Sequence, residues 1–238
     1  MVNLSEFTEN LKSDRDTQIT VVLIIFFMIV FPAYFNYASN NVSSSGALGS
    51  VGNYNVTGEY TLIELDSATE GIADGETLTI NLHSDAVKSQ IADKNVVAVI
   101  VNMSYDEDET SSGPPLTCAG PLGGNDAPDT ISATVSRANN TASGSGQNPG
   151  SHAITAEWHV SSIIDTVVTG LSESEIMAML EGGDTGIGDY VVEISVAAEA
   201  GNTLNPACSR NDNGEEVTYT VSLVILDYAI TPDVELEV

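Results

Sequence analysis

Basic residues are scarce in this sequence: only 6 lysines and arginines face 34 aspartates and glutamates in 238 residues, and the formal net charge is −28. A chain with this charge repels the phosphates of DNA and RNA as well as anionic lipid headgroups. We therefore predict no nucleic-acid partner. A similar acid excess is typical of proteins from saline surroundings and of proteins that bind divalent cations.

Cysteine is also scarce, since Cys118 and Cys208 are the only two. Both lie in segments rich in Gly, Pro and Asn, as expected of one disulfide in an oxidising compartment. Such a bridge would close a loop of about 90 residues and contribute on the order of 4 to 5 kcal/mol in the chain-entropy description. Two free buried thiols are the alternative.

The sequence lacks the common catalytic motifs. It contains no nucleophile elbow, phosphate-binding loop or dinucleotide fingerprint, and no repeat period. His152, Glu157 and His159 lie close in sequence, but His152 has the opposite strand parity from the other two. We therefore predict no catalytic residues, no zinc or copper site and no enzyme.

One long uncharged run is present, from Ile19 to Phe35, with Thr20 as its only polar residue. As a helix it would span roughly 26 Å, close to the hydrocarbon thickness of a bilayer. We predict a transmembrane helix over residues 19–37, with Tyr34 and Tyr37 at the membrane interface. A cleaved signal peptide and a buried core helix are the alternatives.

The basic residues predict the orientation. Lys12 and Arg15 precede the apolar run and the next basic residue is Lys88, so the N-terminus should be cytoplasmic and the rest extracellular. The protein would then be a single-pass protein of the cell membrane. The predicted organisation is a cytoplasmic lead (1–18), the transmembrane helix (19–37), a flexible stalk rich in Ser, Gly and Asn (38–53) and one extracellular domain (54–238).

From Tyr54 onward the pattern is that of β-strands. Leu78, Ile80 and Leu82 alternate with polar residues, which predicts a strand with one buried face. The continuous apolar run from Asn95 to Met103 predicts a central strand covered on both faces. Seven strands are predicted, over residues 56–65, 76–83, 95–103, 130–136, 152–160, 189–199 and 216–230.

One short helix is predicted after residue 171. Ser172 and Glu175 form a capping box, and Ile176, Met179 and Leu180 form an apolar stripe behind it. Seven strands and one helix indicate a mainly β protein, a β-sandwich of immunoglobulin-like or jelly-roll type. Trp158, the only tryptophan, is expected to anchor its core.

Two acidic segments supply calcium candidates. Asp106 and Asp108 belong to a run of four acids, and Asp212 lies in the segment Asn211-Asp212-Asn213-Gly214-Glu215, which lacks EF-hand spacing. The alternatives are a solvated acidic loop and an ordinary turn, because adjacent side chains of an extended segment diverge. No other cofactor is predicted.

Three asparagines are glycosylation candidates, because each is followed by a serine or threonine two residues later. They are Asn41, Asn55 and Asn139. Asn102 has the same pattern but lies inside a predicted strand, so it is not among the candidates.

The N-terminal segment resembles archaeal surface proteins. A short basic lead, Gln18 at the start of an apolar helix and an acidic, β-rich remainder are similar to pilin-type and archaellum-associated subunits, over about residues 12–35. The resemblance implies assembly at the cell surface.

Together these patterns predict a membrane-anchored extracellular β-sandwich that acts as a structural or interaction module. Its partner would be another protein or further copies of itself at the cell surface. One alternative is a pilin-like or archaellum-associated filament subunit. A surface carbohydrate- or metal-binding domain, or a surface enzyme, is the other.

Overall fold

The computed structural model divides the chain into two compact units, Met1–Ser50 and Val51–Val238. The residues it describes are 15, 18–19, 26–33, 51–106, 110–114, 118, 124–125, 127–147 and 150–233.

In the N-terminal unit, the described residues include a π-helix at Phe26–Val30 whose side chains are exposed. The rings of Phe26 and Phe27 meet edge to face, with their centroids 5.7 Å apart. Across the described ranges, no helix is both long and apolar enough to cross a membrane. Much of the predicted span, residues 20–25 and 34–37, lies outside those ranges, so the transmembrane helix stays a prediction.

The described part of the second unit contains eleven strands and two α-helices. The strands are β1 (Gly52–Ala73), β2 (Thr77–His83), β3 (Val96–Tyr105), β4 (Thr110–Ser112), β5 (Thr130–Arg137), β6 (Asn140–Gly146), β7 (Gly150–Glu157), β8 (Thr166–Leu171), β9 (Asp189–Ala197), β10 (Ser209–Asn211) and β11 (Gly214–Pro232). The helices are α1 (Lys88–Ile91) and α2 (Glu173–Leu180). Short 3-10 turns occur at Ser84–Val87, Ser161–Ile163 and Gly183–Gly186.

Five strands form the larger sheet, in the order β7-β3-β11-β1-β8, with every neighbouring pair antiparallel. β1 and β11 form a long ribbon whose register runs from Tyr54 opposite Pro232 to Ala73 opposite Gly214. An irregularity between Glu64 and Asp66 interrupts this register, as a β-bulge does. β11 is therefore the central strand of the sheet.

Four strands form the second sheet, in the order β2-β9-β5-β6. β5 and β6 form a hairpin through the two-residue turn Ala138–Asn139, and Ala138 adopts a φ of 50° there. β4 and β10 pair separately as a short two-stranded sheet.

One hydrophobic core holds the two large sheets together. Val99, Val101 and Leu223 from the five-stranded sheet and Ile131 and Val192 from the four-stranded sheet belong to a single buried cluster. Full burial of each such aliphatic side chain contributes about 1.5 to 3 kcal/mol. Two sheets that share one core are a β-sandwich, so this part of the predicted fold is confirmed.

A second apolar cluster covers part of the outer face of the five-stranded sheet. Ile176 and Leu180 of α2 pack there against Val56, Val97 and Leu226. This packing explains the buried start of β3, where Val96 and Val99 belong to the core between the sheets and Val97 and Ala98 belong to the second cluster. The prediction of a strand covered on both faces is confirmed over this part of β3.

Three predicted boundaries were wrong. The predicted stalk was to end at residue 53, but β1 already begins at Gly52, because its first residues pair with β8. The interval between the predicted strands 130–136 and 152–160 contains β6 and the start of β7. The interval between the predicted strands 95–103 and 130–136 contains the end of β3 and all of β4.

Four strands were missed altogether, namely β4, β6, β8 and β10. Ser, Thr and Gly dominate most of these segments, and their side chains contribute little to the main core. Backbone pairing with a neighbouring strand makes them strands.

Candidate functional site

Three carboxylates converge where the chain enters β5 and β11. Asp129 directly precedes β5, Asp212 lies between β10 and β11, and Glu215 is the second residue of β11. One carboxylate oxygen of each residue lies within 4.8 Å of the other two. We refer to Asp129, Asp212 and Glu215 as the acidic cluster.

Asp129 is held firmly inside the protein. Its relative exposure is 0%, its Oδ1 accepts a hydrogen bond from the Glu199 backbone N–H at 2.7 Å, and its carbonyl oxygen accepts one from Tyr105 Oη at 2.9 Å. Among the residues that the structure describes, Asp129 Oδ2 has no hydrogen-bond partner. A buried carboxylate oxygen without a donor is costly, so this oxygen needs an explanation.

Asp212 is positioned by the turn that leads into β11. The Gly214 N–H donates to Asp212 Oδ1 at 3.1 Å, an Asx turn that confirms the predicted turn at this segment. Gly214 has a φ of +124°, and a Cβ at this position would lie 2.1 Å from the Ile72 carbonyl oxygen. Only glycine therefore allows β1 and β11 to approach so closely beside Asp212.

Glu215 faces the interior because of its register in β11. It pairs with Ile72 of β1 and has a relative exposure of 2%, whereas the next residue, Glu216, is exposed. Val217, Tyr219 and Val221 follow on the same inward parity and are buried. A glutamate at an inward position of an apolar strand is the sequence signal that could have revealed this residue.

The acidic cluster can bind a hard cation. Carboxylate oxygens are the ligands that calcium and magnesium prefer, and three negative charges this close together repel one another unless a cation or protons neutralise them. Asp212 was a predicted calcium candidate, and the structure brings it together with Asp129 and Glu215, which sequence reasoning missed.

The disulfide lies next to the acidic cluster in the chain. Cys118 and Cys208 are bonded, with their Cα atoms 5.5 Å apart, so the predicted bridge is confirmed. β10 runs from the residue after Cys208 to the residue before Asp212 and pairs with β4, where Ser112 Oγ and Ser209 Oγ lie 2.8 Å apart. The disulfide and the pairing of β4 with β10 therefore restrain the chain close to the residues of the acidic cluster.

The calcium candidate Asp106 is not part of the acidic cluster. Asp106 is exposed just beyond β3 and lines a surface depression of about 300 Å³ together with Thr69, Thr218 and Glu216. Asp108 lies outside the described residues.

The glycosylation candidates differ in their surroundings. Asn139 is exposed at the tip of the β5–β6 turn, and Asn55 has an exposed side chain on β1, between β8 and β11. Asn41 lies outside the described residues. Glycosylation at these three asparagines stays a prediction.

His152 and His159 have separate surroundings. The His152 ring stacks on Tyr105 at a centroid distance of 6.0 Å, whereas His159 Nε2 and Tyr60 Oη are 2.8 Å apart. Burial, with the negative charges of Glu157 and Asp165, raises the pKa of Tyr60, so this phenol stays neutral and hydrogen-bonded to the imidazole at physiological pH.

Fold and site together define a disulfide-bonded, mainly β domain with a buried acidic cluster where β5 and β11 begin. No family model matches the chain, and no curated protein matches it.

Two solved structures align with much of its length. One is TmCBM61 in complex with beta-1,4-galactotriose, with 10% identity, a TM-score of 0.23, and coverage of 76% of this chain and 88% of that one. The other is Mud crab tombus-like virus, with 10% identity, a TM-score of 0.27, and coverage of 84% of this chain and 99% of that one. At these TM-scores neither likeness carries an argument about fold or function.

Proposed function

We propose that this chain is a single-pass membrane protein of the cell surface whose β-sandwich acts as a non-catalytic structural or interaction module. The observation that carries the proposal is the disulfide between Cys118 and Cys208, which are 90 residues apart in sequence. Structural disulfides persist in oxidising compartments and are rare in the cytosol. This supports an extracellular position for the domain that follows the apolar segment.

An exposed apolar strip on the five-stranded sheet supports the interaction role. Tyr60 and Leu62 lie two residues apart on β1, hence on one face, and their relative exposures are 45% and 54%. Burial of these two side chains against a partner would remove apolar surface from water, which favours association. We place the contact on this strip, beyond the area that α2 covers.

Cross-linking on intact cells tests location and contact together. Cells expressing the full chain with a C-terminal epitope tag are treated with a membrane-impermeant cross-linker, and the tagged complexes are separated. We expect the wild type to form complexes and Leu62→Asp to lose them, because a charge on the strip opposes burial. Thr61→Asp is the matched control, since Thr61 is exposed on the opposite face of the same strand.

Two outcomes would contradict the proposal. If protease added to intact cells leaves the tagged domain intact, the domain is not outside the cell. If Leu62→Asp and Thr61→Asp cross-link equally well, the strip is not the contact surface. Electron microscopy of surface material addresses the filament alternative, which is favoured if this chain is the repeating unit of a filament.

A further inference from the structure

We propose that Asp129, Asp212 and Glu215 form a calcium site that ties the entry of β5 to the entry of β11. This site is independent of the proposed membrane anchor and of the contact strip.

The spacing of the oxygens fits calcium. Calcium binds oxygens at about 2.3 to 2.6 Å, so two ligands of one ion lie at most about 5 Å apart. The carboxylate oxygens of the acidic cluster are all within 4.8 Å of one another, which is the range that two ligands of one calcium ion span. Magnesium demands near-ideal octahedral geometry at about 2.0 to 2.1 Å and gives up its water reluctantly, so the same three carboxylates should bind it less well.

Asp129 Oδ2 is the second observation that points to a cation. Asp129 is fully buried, its Oδ1 is already bonded to the Glu199 N–H, and within the described part of the chain Oδ2 has no donor. The other two members of the cluster, Asp212 and Glu215, are acceptors when ionised and cannot supply a hydrogen bond. A cation at the centre would satisfy this oxygen and remove the repulsion among the three carboxylates.

The ligand set connects the two large sheets. Asp129 leads into β5 of the four-stranded sheet, whereas Asp212 and Glu215 lead into β11, the centre of the five-stranded sheet. The disulfide fastens the chain ahead of both segments, so covalent and ionic cross-links act on the same part of the sandwich. The ion would therefore act as a structural cross-link between the two sheets, with water completing its coordination.

Calcium titration of the full chain in detergent, after removal of metal with a chelator, tests the site. We expect calorimetry to show one calcium per chain. We also expect the melting temperature to rise by roughly 5 to 10 °C when calcium exceeds the dissociation constant 100-fold. Magnesium at the same concentration should produce a smaller shift.

A pair of neighbouring variants separates the site from general acidity. Glu215→Gln should weaken calcium binding at least about tenfold, because it removes a charged ligand from the ion. Glu216→Gln should bind like the wild type, because Glu216 is exposed and faces away from the acidic cluster. Asp212→Asn is a second variant that preserves the Asx turn, since its amide oxygen can still accept from the Gly214 N–H.

The melting temperature of Glu215→Gln relative to the wild type should change in opposite directions without and with calcium. Without calcium, loss of one repelling charge should raise its melting temperature above that of the wild type; with calcium, the wild type should be the more stable. If Glu215→Gln misfolds, it will be less stable than the wild type both without and with calcium. Calcium binding by Asp212→Asn then tests the site instead.

Four results would overturn the proposal. They are no calcium binding by the wild type, equal binding by Glu215→Gln and Glu216→Gln, equal shifts with calcium and magnesium, or a melting temperature of the wild type that does not change with calcium.

Discussion

Removal of the disulfide should destabilise the domain strongly. The bond joins residues 90 apart, and the chain-entropy description assigns a loop of that length about 4.6 kcal/mol. For a domain of about 190 residues, each kcal/mol shifts the melting temperature by roughly 2 to 4 °C. The double substitution Cys118→Ser, Cys208→Ser should therefore lower the melting temperature by about 9 to 18 °C.

Scanning calorimetry of the full chain in detergent, with chelator present, measures this shift apart from any effect of calcium. Cys118→Ser alone should cost as much as the double variant, because either change opens the loop. Ser112→Ala is the control, since it removes only the contact with Ser209 across the β4–β10 pair, worth about 1 kcal/mol. A loss below about 3 °C in the double variant would refute the reasoning, because it would leave less than about 1.5 kcal/mol for loop closure.

Two further predictions concern α2 and Tyr190. Ser172→Ala should cost about 1 kcal/mol in urea denaturation, because the Ser172 side chain caps α2 by accepting from the Glu175 N–H; an equal loss in the exposed control Ser162→Ala would contradict this role. Burial raises the pKa of Tyr190 to about 12, from 10.0, although nearby Arg137 lowers it. Between about pH 10 and 12 the unfolded chain releases a proton that the folded protein keeps, so stability falls as pH rises. Urea denaturation across this range should show a shallower fall for Tyr190→Phe than for the wild type, and equal slopes would contradict the prediction.

Local sequence patterns correctly predicted those elements that a few adjacent residues specify. The capping box of α2 is complete within four residues, and it formed as predicted. β2 was recognisable because its alternating Leu78, Ile80 and Leu82 pack on the core. The disulfide was predictable for a different reason, because two cysteines allow only one intramolecular pairing.

β6 shows where local patterns failed. Its sequence, Asn-Thr-Ala-Ser-Gly-Ser-Gly, has no run of apolar residues and reads as a loop. It is a strand because all seven residues pair with β5 after a tight turn, so the hydrogen bonds of its backbone come from a neighbour. Backbone hydrogen bonds to a neighbouring strand require no particular side chains, so the composition of β6 does not reveal that it is a strand.

The sequence by itself determined the acidity, the single cysteine pair, the apolar N-terminal run and the alternation that makes a β protein, because each is a property of composition or short spacing. Only the tertiary structure decided which acids meet. Asp129 is more than eighty residues from Asp212 and Glu215, and they converge because β5 and β11 begin close together in the folded sandwich. Asp106, which belongs to a conspicuous run of acids in the sequence, is not in the cluster found among the described residues, because convergence on one ion depends on where strands start rather than on closeness in sequence.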